Sequence, residues 1–115
     1  MLSDPTTETG FLPLPVSVLH ILLALADDEM HGYAIMRQVE VLTDDTVTMG
    51  PGTLYGAVKR MLADGLIEET AERPDPEIDD QRRRYYRVTA LGARVRAAEV
   101  ARLETLLKNA RLRTA

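Results

Sequence analysis

Four polar side chains within eight residues carry the clearest chemical signal in the sequence. The stretch GPGTLYGAVKRMLADGLIEE, residues 50–69, holds two cations, a phenol and a small hydroxyl, with a glycine between them. At helical spacing these residues share one side: Thr53, Tyr55, Gly56, Lys59 and Arg60. Hydroxyls and cations of this kind contact phosphates and base edges, and a glycine allows close approach. The pattern predicts a surface that contacts nucleic acid.

No comparable pattern in the sequence indicates catalysis or metal binding. The chain has two histidines, His20 and His31, and no cysteine. It contains no HExxH, GxSxG, Walker A or GxGxxG string, which are typical of zinc enzymes, hydrolases and nucleotide-binding proteins. We therefore expect no enzyme, no catalytic residue, no cofactor and no metal ion. His31 is expected to pack against the fold or to cap a helix.

The predicted contact surface needs a helix that begins, ends and buries its other side. Gly50 suits an N-cap, Pro51 the first helical position, and Gly65 the left-handed residue that ends a helix. Four apolar residues fall at i, i+4, i+7 and i+8: Leu54, Val58, Met61 and Leu62. This two-sided pattern is typical of the recognition helix of a winged helix-turn-helix.

The flanking segments predict the remaining elements of that fold. Residues 15–26 are apolar almost all round and predict a helix buried on two sides, and residues 31–42 predict the supporting helix. The β-branched stretch TVTM, residues 46–49, predicts a short strand. Residues 66–72 and 83–89 predict a hairpin, the wing, around a turn-rich loop. The inner face of the supporting helix is predicted to contain Tyr33, Ile35, Met36, Val39, Glu40 and Leu42.

The last predicted helix begins at Thr89, its N-cap, and continues to about Arg113. Its apolar band extends past the point where a winged-helix core is complete, and the helix at residues 15–26 also has surplus apolar surface. Pairing of these two helices across a two-fold axis buries both surfaces and predicts a homodimer. The predicted dimer interface contains Val18, Leu22, Leu25, Val100, Leu103, Leu106, Leu107 and Ala110.

The expected fold class is mainly α with a small β-hairpin: a winged helix-turn-helix with an added C-terminal dimerisation helix. We expect an N-terminal arm at residues 1–14, a DNA-binding domain at 15–88 and the dimerisation helix at 89–115. A chain of 115 residues has room for one modest core. The absence of cysteine suits the cytoplasm, and the apolar runs are too short for a membrane span. No positively charged region precedes the apolar run at residues 16–26, so we expect no signal peptide.

Charge is distributed unevenly along the chain, although its net value is only −4. Residues 46–61 carry two cations and no acid, and residues 81–98 carry six arginines and no acid. The acids are concentrated in residues 1–45 and 62–80, with eight in each segment. The recognition helix and the returning strand of the wing are therefore cationic, as DNA binding requires. The alternative is that these are ordinary solvated faces.

Three stretches together resemble the PadR-like family of bacterial transcriptional regulators: HGYAIMRQVE at residues 31–40, GPGTLYGAVKRMLADGLIEE at 50–69 and RRRYYRVTALG at 82–92. The resemblance covers about residues 14–107. It implies a winged-helix homodimer that binds double-stranded DNA at a palindromic operator and usually represses transcription. Carried over by position, it implies that the DNA-binding residues are Thr53, Tyr55, Lys59, Arg60, Arg82, Arg83, Arg84 and Tyr86.

Two features of this assignment stay open. Tyr55 has a second interpretation as a core anchor of its helix, and strand alternation directs only one of Tyr85 and Tyr86 outward. The wing departs from the family pattern, because its long loop holds acids that phosphate repels: Asp75, Glu77, Asp79 and Asp80. We expect these carboxylates to pair with the neighbouring arginines and hold them in place. The alternative is a Ca²⁺ or Mg²⁺ site, although the spacing matches no ion-binding loop.

The alternative function is a winged-helix protein-interaction module that does not bind DNA. A heterodimer with another winged-helix chain also fits the apolar surplus, and an unidentified small-molecule effector is left open. The chain has no tryptophan and one phenylalanine, so the aromatic stacking that some relatives use is not available from those residues. Met30, Met36 and Met61 are expected to be core residues rather than the lining of a ligand pocket.

Overall fold

Four α-helices and a three-stranded antiparallel sheet form the described part of the chain, residues 8–70 and 84–114 of the computed structural model. The strand order is β1-β3-β2, so β3 is central. In chain order the elements are a 3₁₀ turn at Glu8–Phe11, α1 at Val16–Leu25, β1 at Met30–His31, α2 at Gly32–Leu42, α3 at Pro51–Asp64, β2 at Ile67–Glu69, β3 at Tyr85–Val88 and α4 at Ala90–Thr114. This mainly helical architecture with a small sheet is the predicted one.

Helix α3, the predicted recognition helix, begins and ends as its residues indicate. Gly50 is extended, with φ −78° and ψ 164°, Pro51 occupies the first turn, and Gly65 has the left-handed φ of 76° at the end of the helix. The buried residues of α3 are Leu54, Ala57, Val58 and Met61. Because proline and glycine act directly on backbone conformation, these helix ends depend little on tertiary contacts.

Helix α2 is capped by a histidine, which confirms the structural role expected for His31. Its Nδ1 atom accepts a hydrogen bond from the Ala34 N–H at 3.3 Å, which satisfies one free donor of the first turn. The buried face of α2 is narrower than predicted, because Tyr33 and Leu42 flank the stripe that packs against α1 and α3 and are exposed. The buried residues are Gly32, Ile35, Met36 and Val39.

The third strand of the sheet is β1, and the strand predicted at residues 46–49 is absent. The register of β1 on β3 places Met30 opposite Tyr86. Residues 46–49 follow a tight turn in which Asp44 and Asp45 have positive φ values of 49° and 62°. The chain leaves this turn as an irregular loop, so the β-branched residues there do not pair with the sheet.

Helix α1 lies at the centre of the core and contacts α2, α3, α4 and β3. Val18, Leu22 and Leu25 are buried in this core, which corrects their prediction as dimer-interface residues. Because α1 is apolar almost all round, its sequence does not show which side faces the core and which side faces outward. In the structure, the chain's own elements cover these three side chains.

Helix α4 joins the core through its first half only. Thr89 caps the helix as predicted, since its Oγ1 accepts a hydrogen bond from the Gly92 N–H at 3.0 Å. The end of the predicted N-terminal arm packs along the same half, where the Leu14 N–H donates to Glu99 Oε2 at 2.8 Å. Leu103 is half-buried, and every described residue beyond it is exposed.

Candidate nucleic-acid interface

The outer side of α3 is open to solvent. Four of the residues that the sequence places on this side are exposed, and we call them the recognition face: Thr53, Gly56, Lys59 and Arg60. The opposite side of α3 is held in the core by its buried face. The helix is therefore fixed in position while its recognition face is accessible to a partner.

The first turn of α3 adds backbone donors beside this face. Gly50, Pro51 and Gly52 are exposed, and no atom lies within 4 Å of the position that a Cβ would occupy at either glycine. The free N–H groups and partial positive charge of a helix N-terminus therefore face solvent here. Such a helix end favours an anionic oxygen, including that of a phosphate.

The two cations of the recognition face are not neutralised by the described part of the chain. Within that part, no carboxylate pairs with Lys59 or Arg60. Arg84 of the wing differs, because its Nε lies 3.5 Å from Glu69 Oε1. Lys59 and Arg60 therefore carry positive charge that is available to a partner.

Other arginines of the cationic segment, residues 81–98, make contacts within the chain. Arg87 Nε donates to Glu68 Oε1 at 2.6 Å, across the wing hairpin. Arg94 Nε lies 3.8 Å from Glu8 Oε2. The absence of acids from this segment indicated free positive charge, but residues distant in sequence supply the carboxylates.

Arg96 has a structural role that sequence reasoning missed. Its Nη1 donates to the Ala26 carbonyl at 2.6 Å, and its Nη2 donates to Asp27 Oδ1 at 3.3 Å. The guanidinium thus satisfies a carbonyl group at the C-terminal end of α1, where the helix dipole favours a cation. No local pattern signals this role, because it requires α1 and α4 to be packed side by side.

Tyr55 is half-buried and meets α2. A Cβ at Gly32 would collide with the Tyr55 hydroxyl and would stand 3.0 Å from Leu54 Cδ2. Gly32 therefore allows α2 and α3 to approach closely, with the tyrosine at the point of contact. This geometry favours the interpretation of Tyr55 as an anchor of α3, and its contact with DNA stays a prediction.

Tyr86 is buried, with 3% of its surface exposed. It lies opposite Met30 on β1 and Glu69 on β2. Burial raises the pKa of the Tyr86 phenol, Glu69 and Tyr55 raise it further, and Arg84 opposes them. The side chain is a packed neutral phenol, which corrects its prediction as a residue presented to DNA. Strand alternation allows one inward tyrosine of the pair, and the sheet register turns Tyr86 inward.

A groove of ≈ 360 Å³ lies between α3 and the wing. It brings a cation of the recognition helix and a cation of the wing to one cleft. The lining residues are Tyr55, Val58, Lys59, Leu62, Arg84 and Tyr86. The predicted contact residues Arg82 and Arg83, and the acids at residues 75–80, lie outside the described residues.

The described ranges, 8–70 and 84–114, contain neither a metal-binding cluster nor a membrane-spanning helix. No three His, Cys, Asp or Glu side chains there are grouped closely enough to hold a metal ion. No helix in those ranges combines the length and apolar character needed to cross a bilayer.

The methionines Met36 and Met61 are buried in the core. Met30 is partly buried and packs against it.

The α2–α3 pair, the hairpin and the long α4 define a winged helix-turn-helix protein with an added C-terminal helix. The model of the transcriptional regulator PadR-like family matches residues 21–98, and the chain belongs to this family. Its members are transcriptional regulators, not enzymes. The family resemblance seen in the three sequence stretches is thereby confirmed.

Two sequence relatives agree with this assignment to different extents. The transcriptional regulator Rv3488 of Mycobacterium tuberculosis is 33% identical over 90 residues, which cover 78% of this chain and 78% of that protein. An uncharacterized 37.1 kDa protein in transposon TN4556 of Streptomyces fradiae is 42% identical over 53 residues. That match spans 46% of this chain and only 15% of the transposon protein.

Solved structures support the fold. A PadR family transcription regulator from Clostridium difficile has a TM-score of 0.72 at 23% identity, covering 88% of this chain and 100% of that one. Bacillus subtilis PadR in complex with operator DNA has a TM-score of 0.61 at 17% identity, covering 90% of this chain and 62% of that one. The winged-helix architecture is therefore shared across the family at low sequence identity.

Proposed function

We propose that the protein is a homodimeric, sequence-specific DNA-binding regulator that represses transcription until a signal releases it. The observation that carries this proposal is the recognition face of α3, whose two cations are exposed and, within the described residues, unpaired. The second helix of a helix-turn-helix enters the major groove of DNA. The Bacillus subtilis PadR structure, which contains operator DNA, supports the same partner for this chain.

The proposed contacts are of two kinds: some position the protein on the DNA backbone, and others read the base sequence. Lys59 and Arg60 bind backbone phosphates, which supply affinity without sequence information. Thr53, on the first turn of α3, contacts a base edge or a phosphate. Arg84 contributes from the wing, and the neighbouring Arg82 and Arg83 stay predicted wing contacts. Tyr55 holds α3 in place against α2.

The dimer is proposed to form through α4. Residues 15–88 are then the DNA-binding domain and residues 89–115 the dimerisation helix, with Val100, Leu103, Leu106, Leu107 and Ala110 in the interface. The second half of α4 exposes apolar surface that the described chain does not cover. Two-fold pairing presents two α3 helices about 34 Å apart, the spacing of successive major grooves in a palindromic operator. Such a regulator acts in the cytoplasm, on the chromosome.

Fluorescence anisotropy on a labelled duplex from upstream of the protein's own gene tests the proposal. The test variant is Lys59→Ala with Arg60→Ala, and the control is Arg111→Ala with Arg113→Ala, on the last turn of α4. Both pairs remove two positive charges. We expect the test variant to flatten the log–log dependence of affinity on salt by about 3.6, because each lost phosphate contact contributes about 0.9 and the dimer loses two contacts from each protomer. The control keeps most of the wild-type slope.

Equal losses in both variants would indicate a general charge effect and contradict the assignment of α3. Absence of binding to this duplex and to a pool of random duplexes would exclude DNA as the partner and favour the protein-interaction module. Repression is tested separately by deleting the gene, which is expected to raise transcription from the bound promoter.

A further inference from the structure

The two cross-strand ion pairs of the wing differ in geometry. Arg87 Nε donates a short hydrogen bond to Glu68 Oε1 at 2.6 Å. Arg84 Nε lies 3.5 Å from Glu69 Oε1, which is longer than a good hydrogen bond, and the two side chains are 55% and 42% exposed. Arg87 and Glu68 therefore form a hydrogen-bonded ion pair, whereas Arg84 and Glu69 form a longer ion pair, which we call the loose pair.

The two pairs also lie on opposite faces of the hairpin. The register of β2 on β3 places Glu68 opposite Arg87 and Glu69 opposite Tyr86. Because side chains alternate along a strand, Arg84 and Tyr86 share one face and Arg87 belongs to the other. The buried Tyr86 faces α3, so the loose pair lies on the side of the recognition helix.

Arg84 borders the groove between α3 and the wing together with Lys59. The Glu69 carboxylate lies near enough to this groove to raise the pKa of the Tyr86 phenol that lines it. Glu69 is therefore an anion at the edge of a cleft that has cations on both sides. Glu69 therefore occupies the position from which an anionic ligand in the groove would contact Arg84.

Replacing Glu69 by another anionic partner of Arg84 costs little free energy. An exposed ion pair is weak, because water screens both charges and two long side chains lose freedom. A phosphate, like a carboxylate, offers oxygen acceptors that match the fork of a guanidinium. A DNA backbone phosphate placed in the groove can therefore replace Glu69 at Arg84, with Lys59 as a second cation.

We infer that Glu69 competes with DNA for Arg84. In the free protein the carboxylate holds the guanidinium, and on binding a backbone phosphate replaces the carboxylate. The inference rests on the proposed DNA binding and adds to it a residue that lowers affinity. Glu69 thereby limits the contribution of the wing, so the contacts of α3 account for a larger share of the binding.

The neighbouring pair provides a matched control, because Glu69→Gln and Glu68→Gln remove the same charge from adjacent residues. On the labelled upstream duplex we expect Glu69→Gln to bind about two- to 25-fold more tightly than Glu68→Gln, because the dimer is relieved of one weak exposed ion pair in each protomer. Arg84→Ala is expected to flatten the salt dependence by about 1.8, because the dimer loses one phosphate contact from each protomer. In the Arg84→Ala background the advantage of Glu69→Gln over Glu68→Gln disappears.

Equal affinities of the two glutamine variants would overturn the inference, because charge alone would then explain them. An advantage of Glu69→Gln that persists without Arg84 would overturn it as well. The proposed function is judged independently, by wild-type binding and by the Lys59 and Arg60 variant. Matching thermal melts of all the variants show that each is folded.

Discussion

Glu99 is a buried charged side chain in the described part of the chain, with 1% of its surface exposed. Its carboxylate accepts hydrogen bonds from Arg102 Nε at 2.5 Å and from the Leu14 N–H at 2.8 Å. The Arg102 hydrogen bond is the main cause of its lowered pKa, the Leu14 N–H lowers the pKa further, and burial opposes them. This residue ties the segment before α1 to the middle of α4.

A lowered pKa in the folded state makes stability depend on pH. The contribution of Glu99 is fully present above its unfolded pKa of about 4.3 and is lost as pH falls through the lower folded pKa. We expect Glu99→Gln to cost about 2 kcal/mol at neutral pH, since it weakens charge-assisted hydrogen bonds, and to flatten the loss of stability in acid. Urea denaturation between neutral and acidic pH measures both effects.

The control for Glu99 is Glu104→Gln, because Glu104 is exposed on the same helix. That variant is expected to unfold with the wild-type free energy and the wild-type acid dependence. An acid dependence in Glu99→Gln as steep as that of the wild type would show that another carboxylate is responsible.

Among the elements, the wing and α4 meet in close backbone contact. A Cβ at Gly92 would collide with the Leu66 carbonyl oxygen and would stand 2.8 Å from Val88 Cγ1. Thr89 secures the same junction, since its Oγ1 lies 2.6 Å from the Gly65 carbonyl oxygen and donates to it. The first turn of α4 therefore rests directly on the backbone at the start of β2, which links the wing to the C-terminal helix.

Gly92→Ala is expected to destabilise the protein by about 1–3 kcal/mol, because the backbone of Leu66 must move. Gly56→Ala is the matched control: it lies within α3, and no atom is within 4 Å of the added Cβ. There the same substitution is expected to stabilise by about 1 kcal/mol, through helix propensity alone. Thermal unfolding of both variants measures the two effects, and shifts of the same sign would contradict this account of Gly92.

At the scale of the whole molecule, the recognition face and the exposed apolar surface lie on different elements. The recognition face is on α3, and the second half of α4 exposes Leu106, Leu107 and Leu112 at 56%, 50% and 74%. The chain measures 54 × 38 × 22 Å along its principal axes, an elongated shape for 115 residues. One end of α4 is therefore suited to join a second copy, while α3 remains available for DNA.

Leu106→Glu with Leu107→Glu is expected to give a monomer, because charges replace the apolar surface in the proposed interface. Size-exclusion chromatography with light scattering measures the mass, and anisotropy measures the accompanying loss of DNA affinity. The control is Thr105→Glu with Asn109→Glu, two exposed positions on the same helix, which adds equal charge. A wild-type monomer, or a variant that remains dimeric, would contradict the proposed role of α4.

The features that could be predicted from the sequence are those that act within about one helical turn. Gly50, Pro51 and Gly65 set the ends of α3, and Thr89 sets the start of α4, because capping residues act on the adjacent backbone. The apolar spacing of α3 also specified its exposed side, since a two-sided helix has one arrangement that buries its apolar residues. The winged-helix fold and the candidate recognition face followed from these local signals.

For the remaining residues, local sequence left several equivalent partners open, and the packing of the folded chain selects one of them. Helix α1 is apolar almost all round, so only packing showed that Val18 lies in the core. Alternation along β3 required one inward tyrosine, and only the register selected Tyr86. The pairing of Arg84 with Glu69 depends on the same register. These outcomes depend on contacts between residues far apart in the chain, which local spacing does not encode.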